Sequence, residues 1–211
     1  MPPEEIPADF GFYAMRDTLR DGEKVMVRAI HPDDKARLLE HFRSLSPTSI
    51  HNRFFSMRRD LSPAELARLT ELDFRNHVGL AVTLGEADAE RFIGVGRYIR
   101  GADSKRAEVA FAVTDQHQGR GVGTLLLEHL AHIARAQSIE HFDVDVLADN
   151  HQMLGVVEQS GFRVHRKSDS GVVHMVMPLA ETEESGHARG ERANTAAQAA
   201  ATNRKSNSPR H

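Results

Sequence analysis

The stretch EVAFAVTDQHQGRGVGT, Glu108 to Thr124, sets a carboxylate at the head of an apolar strand. It ends in three glycines at alternate positions, Gly119, Gly121 and Gly123, just before an apolar helical stretch. Each half suggests chemistry. A carboxylate flanked by Ala107, Val109 and Ala110 is expected to be partly desolvated, which raises a carboxyl pKa towards the range useful to a general base. An ordinary ion pair with Arg97 or Arg106 is the plainer alternative. A loop between a strand end and a helix start presents unpaired backbone N–H groups and the positive end of the helix dipole, a site suited to a diphosphate. Glycines let backbone approach phosphate without Cβ interference, and Arg120 can add a guanidinium.

Several loops share this chemistry. A Walker loop needs a lysine before Thr124, and none is there. A dinucleotide fingerprint finds Gly119 and Gly121 in its first two places but Thr124 in its third, although Asp143 lies at about the distance of the acid that fingerprint wants. That fold also opens its sheet with the glycine strand, whereas here several strands and two helices come first. A tight turn without ligand needs fewer glycines.

The surrounding pattern is mixed α/β. KVMVRAI (Lys24 to Ile30) alternates as a strand, and Pro32-Asp33-Asp34 opens a helix with Ala36, Leu39 and Phe42 along one side. LSPAELARLTEL carries a capping box of Ser62, Pro63 and Glu65. HVGLAVTL and RFIGVGRYIR read as a hairpin joined by GEADAE, with RAEVAFAV as a third strand of the group. GTLLLEHLAHIARAQ is a helix with Leu126, Leu130 and Ile133 at helical spacing, and HFDVDVL is a strand with Asp143 and Asp145 on a solvated face. Asn150 caps a short helix closed by Gly161, and FRVHRK and VVHMVMPL are the last strands. The fold class is α/β of the α+β type: a mixed, mostly antiparallel sheet with helices on both faces.

The chain has 211 residues, net charge −3 and no cysteine. Those values give no electrostatic case for nucleic acid or anionic membrane, exclude thiol chemistry and disulfides, and fit a cytoplasmic protein. No run reaches the ~18 apolar residues of a membrane helix. Residues 1–11 and 181–211 are expected to be disordered; the latter has no leucine, isoleucine, valine or aromatic residue. The folded domain then spans 12–180. His129 and His132 read as surface histidines, not metal ligands, and no metal is expected. In HNRFFSMRRD, Phe54 and Phe55 are expected to pack under a substrate loop, with arginines that steer an acidic protein surface.

Gln118 to Thr124, following VAFAV, resembles the Q-x-x-G-x-G/A coenzyme A loop of the GNAT N-acetyltransferases. VLADN followed by GF resembles that family's second landmark. LSPTSIHNRFF, LSPAELARLTELD, IGVGRYIR, AEVAFAV and ML before GF further resemble the Pat-like bacterial protein lysine acetyltransferases, from about Val25 to Leu179. The resemblance implies acetyl-CoA as cosubstrate and a V-shaped splay made by a bulge in the strand before the glycine loop. Pantetheine would bond to main chain near Phe111 and Val113, and the diphosphate would lie on Gln118, Gly119, Arg120, Gly121, Val122, Gly123 and Thr124. Asn150 and Met153 would border the cofactor, and Glu108 would be the base.

Many family members protonate the leaving thiolate with a tyrosine seven residues after the asparagine; here that position is Val157. The implied acceptor is a lysine of a protein such as an AMP-forming acyl-CoA synthetase. Acetylation of a small-molecule amine, or a non-catalytic acyl-CoA sensor, are the competing functions.

Overall fold

The computed structural model describes residues 9–180 and 183–206. Eight strands form one sheet in the order β1-β2-β3-β4-β5-β6-β8-β7: β1 (Ala14–Thr18), β2 (Lys24–Ala29), β3 (His77–Leu84), β4 (Arg91–Arg100), β5 (Arg106–Val113), β6 (His141–Leu147), β7 (His165–Asp169) and β8 (Val172–Pro178). Every neighbouring pair is antiparallel except β5 and β6, which the crossover helix α4 (Val122–Ala136) makes parallel. The strand β1 and a helix α2 (Pro47–Phe54) add to the elements legible in the sequence, and the expected hairpin is the β3–β4 pair.

The two faces of the sheet carry two cores. On one, α4 and α5 (His151–Gln159) bury Val122, Leu125, Leu126, Leu130, Ile133 and Val157 against Val78, Leu80, Tyr98, Val109 and Val144. On the other, α1 (Lys35–Arg43), α2 and α3 (Pro63–Thr70) cover Ala81, Phe92 and Val95 with Leu38, Phe42, Ile50 and Leu66. The buried side of α1 is Leu38, His41 and Phe42, while Ala36 is exposed and Leu39 only half-buried. The helix begins at Lys35 after a 3-10 turn, Pro32–Asp34, which rotates the inward stripe relative to a helix begun at Pro32. Two glycines of β4 let α4 close down on the sheet: a Cβ at Gly94 would stand 2.5 Å from Val122, and one at Gly96 would stand 2.8 Å from Phe111.

Both chain ends differ from the expected disorder. Asp9 caps the 3-10 turn Phe10–Phe12, its carboxylate accepting from the Gly11 N–H at 2.8 Å, so ordered structure starts before residue 12; residues 1–8 lie outside the described part. After residue 180 comes α6 (Glu183–Ser206), whose alanines have high helix propensity. It is held by charge rather than by a large apolar face. Arg192 pairs with Glu128 of α4 and with Asp17 of β1 at 3.5 Å, and Ala196 is buried. His129 belongs to the same neighbourhood, 2.5 Å from the Tyr13 hydroxyl and 3.3 Å from Asp17, so it is not a free surface histidine. Among the described residues no helix is long and apolar enough to cross a membrane.

His41 gives the fold a pH dependence. It is buried beneath β4, its Nδ1 3.3 Å from the Phe92 carbonyl, and burial pushes the imidazole pKa down to about 4 although backbone carbonyls pull the other way. Below the ordinary histidine value of about 6.5 the unfolded chain takes up a proton that the folded chain refuses. Stability is therefore lost as pH falls from about 6.5 to about 4, by about 2 kcal/mol at pH 5. Urea unfolding at pH 7 and pH 5 should show this loss in the wild type and a clearly smaller one in His41→Gln. An equal loss in both would assign the dependence to other groups, half-buried His77 first, which burial also lowers to about 4.

Candidate active site

β5 and β6 stay paired only over Arg106–Glu108 against His141–Asp143. Beyond that point β5 runs on to Val113 and β6 to Leu147 without bonding each other, so the sheet opens directly after Glu108. The expected bulge in β5 is absent: its register against β4 is unbroken from Gly94↔Val113 to Arg100↔Ala107. The register shift lies instead between β3 and β4, at Val82/Thr83. Diverging strands, not an extra residue, make the gap, and beneath it α4 and α5 come close enough that a Cβ at Gly123 would stand 3.0 Å from Val156.

The gap and the glycine loop form a single cavity of about 760 Å³. Its lining includes Glu108, Phe111, Val113, Gln118, Gly119, Gly121, Val122, Gly123, Thr124, Asn150 and Met153. Every site residue named from the sequence is there except Arg120, which turns away to pair with Asp21 at 2.5 Å and with Glu23. Arg20, from the β1–β2 connection, borders the loop in its place, donating to Gln159 at 2.7 Å and lying beside Gly121. No sequence signal links residue 20 to residue 121; only the fold joins them.

Local geometry explains how the loop holds its shape. Gly119 and Gly121 adopt φ values of +73° and +91°, left-handed conformations that a side chain strains. The N–H of Leu125 is the first to bond back into the helix, to the Gly121 carbonyl at 2.9 Å, so the amides just before it have no helical partner. Gln118 donates to the Val113 carbonyl and to Ser49, both at 3.1 Å. Asp115 accepts from the N–H and hydroxyl of Ser46, the α2 N-cap, at 2.9 and 2.7 Å. These bonds tie α2 to the loop. Asn150 accepts from the Met153 N–H at 3.1 Å as the α5 cap. Val157 is fully buried and does not line the cavity.

Glu108 is exposed, in contrast to the desolvated carboxylate expected from its apolar flanks. Those neighbours alternate to the other side of the strand, where Ala107 and Val109 are buried, or lie along the cavity wall, as Ala110 does. Neither expected arginine pairs with it: Arg106 is taken by Asp143, and Arg97 is buried, donating to the Leu69 carbonyl at 3.5 Å with His77 Nε2 at 3.2 Å. Burial first, then Arg53 and Arg68, pulls Arg97 down to about 9. The cation that feels Glu108 is Arg53 of α2, which lines the cavity with its guanidinium 5.0 Å above the Phe54 ring. Burial lowers Arg53 to about 10, and Glu108 acts against that shift. Phe54 packs edge-on against Phe42 at 5.8 Å, whereas Phe55, with φ +55°, is exposed at the mouth. Asp145 and His174, on β6 and β8, line the same cavity and bond to each other at 2.7 Å.

An apolar gap between strands that opens beside a carboxylate and ends at a helix N-terminus suits a long ligand with an amide-bearing arm and a phosphate end. Residues 46–162 match the Acetyltransferase (GNAT) family. The chain is 33% identical over 156 residues to the acetyltransferase Pat of Mycolicibacterium smegmatis, covering 74% of this chain but only 46% of that protein. It is 29% identical over 161 residues to an acetyltransferase of Pseudomonas aeruginosa, covering 75% of this chain and 86% of that one. Its structure superposes on the GNAT domain of S. lividans PAT with a TM-score of 0.73 and 38% identity, over 82% of this chain and 99% of that one. With the matched residues containing the whole of β5, the glycine loop and α5, this chain belongs to the GNAT acetyltransferase family and is an N-acetyltransferase.

Proposed function

We propose that the protein moves the acetyl group of acetyl-CoA directly to the ε-amine of a lysine in a protein substrate, with AMP-forming acyl-CoA synthetases as the targets to test first. The observation that carries this reading is the open face around Glu108. The carboxylate, Asp145, His174 and Phe55 are all solvent-accessible at one mouth of the cavity, with exposed Met57 nearby in the chain. A small amine would leave this surface wet. A docked protein covers it, removes water from Glu108 and so supplies the desolvation that the chain alone does not.

In this reading pantetheine lies between β5 and β6 as an added strand, using main chain of Phe111 and Val113 that β6 leaves unbonded. A β5 N–H polarises the thioester carbonyl and holds the oxyanion as the amine attacks. The diphosphate rests on the amides of Gln118 to Thr124, with Arg20 beside it. Glu108 accepts a proton from the attacking nitrogen, and coenzyme A leaves as thiolate. With Val157 buried, no side chain at that position reaches the departing sulfur, and water can protonate it.

The experiment supplies acetyl-CoA with a purified AMP-forming acyl-CoA synthetase and, separately, polyamines, amino acids and aminoglycosides. The expected result is an acetylated lysine found by mass spectrometry on the synthetase and slow thiol release with the small amines. Fast turnover of a small amine would replace the protein acceptor. Acetyl-CoA binding by calorimetry with no thiol release from any acceptor would make the chain a sensor.

A further inference from the structure

We propose that His174, oriented by Asp145, is a second proton acceptor of the reaction, taking the proton that the incoming ammonium must lose before it can attack. Making an amide from R–NH3+ releases two protons from nitrogen. One leaves before the C–N bond forms; the other leaves as the tetrahedral adduct collapses and the C–S bond breaks. One of the two ends on the coenzyme A thiolate and the other in solvent. Glu108 accounts for one transfer, and the opposite wall of the cavity holds a group built for the other.

Asp145 and His174 are direct cross-strand partners, and Asp145 lies two residues beyond Asp143, the residue in register with Glu108. Side chains two apart share a sheet face. His174, Asp145 and Glu108 are thus on one face, the imidazole across the gap from the carboxylate, and all three line the cavity. The ring nitrogen Nδ1 is 2.7 Å from Asp145 Oδ1. An ionised carboxylate only accepts, so Nδ1 carries the hydrogen and the lone pair of the neutral ring is on Nε2. Because His174 and Asp145 are each about half exposed, with 47% and 51% of the side chain accessible, a proton taken there has a direct route to water.

The charged and titratable groups around it are Asp145 and Asp143 on β6, the latter engaged by Arg106, and Lys167 in register on β7, flanked by His165 and Asp169. Glu108 and Arg53 face it across the gap, and His151 of α5 lines the cavity. Imidazoles as a class titrate about two units above carboxylates, nearer the pH at which a lysine must be deprotonated.

The test compares wild type, His174→Gln and His174→Ala, with kcat/KM for N-α-acetyl-lysine amide measured from pH 6 to pH 10. Acetyl-CoA calorimetry and thermal melts establish that site and fold persist. The expected result is a loss of about tenfold or more at pH 7 in both variants. The deficit should shrink towards about pH 10, where roughly a quarter of the acceptor is already neutral without help, and added imidazole should restore part of the His174→Ala rate. Wild-type kcat/KM in His174→Gln at pH 7 would overturn the proposal. So would a deficit constant with pH and indifferent to imidazole, which is the signature of a structural role. The proposal rests on acetyl transfer to an amine: if the acceptor proves to be a small amine, the lysine reading fails and the His174 dependence is read on that amine.

Discussion

Glu108→Gln is expected to lower kcat by about 10²- to 10⁴-fold at neutral pH while acetyl-CoA binds as before, the range over which a positioned proton acceptor acts. The substitution keeps the size and solvent exposure of the side chain and removes only its basicity. Glu108 forms no direct ion pair among the described residues, but its charge opposes the burial of Arg53, so a thermal melt of the variant checks that the fold persists. The glycine loop lies at the other end of the cavity, and the calorimetric affinity for acetyl-CoA should stay within about twofold. Single-turnover measurement with saturating acetyl-CoA separates the chemical step from product release. Unchanged turnover in this variant would remove Glu108 from the mechanism. A lost affinity instead would mean that the carboxylate shapes the cavity.

Gly121→Val should weaken acetyl-CoA binding by at least about tenfold, equivalent to about 1.4 kcal/mol. Two penalties combine at this position. The φ of +91° disfavours any residue with a Cβ, by roughly 1–2 kcal/mol, and more for a branched one. The added Cβ would also stand 3.1 Å from Arg20, pressing on the side chain that borders the loop. Gly119→Ala is the control: its φ is also positive, at +73°, but no atom lies within 4 Å of its Cβ position. It should cost less, having neither a branched side chain nor the contact with Arg20. If both variants bind acetyl-CoA as the wild type does, the amides opening α4 do not hold the phosphates.

The glycine spacing and the leucine-rich helix after it were readable because both are local. A strand end, three alternating glycines and a helical apolar period fix a loop whose amides face one way, whatever the rest of the chain does. The Ser62 capping box and the Asn150 cap were legible for the same reason, since each is a bond between residues three apart. Arg120 was misplaced because composition cannot say which way a guanidinium turns. Asp21 and Glu23, about a hundred residues earlier, capture it, and Arg20 from the same connection borders the cavity. The exposure of Glu108 was missed because apolar flanks on a strand alternate between faces, and only the placement of α1 to α3 decides which part of a face stays uncovered. The α6 helix went unforeseen because its anchors are ionic: Arg192 on Glu128 and Asp17 needs no apolar stripe.

By itself, then, the order of residues determined the fold class and a loop suited to phosphate, because both follow from short-range periodicity and backbone geometry, whereas the gap beside Glu108 was implied only by the family resemblance. Tertiary structure alone decided that the sheet parts through divergence of β5 and β6 without a bulge in β5. It alone brought Asp145 and His174 to the wall facing Glu108. The reason is physical: pairing register and strand divergence depend on contacts between segments far apart in the chain, and no local pattern records them.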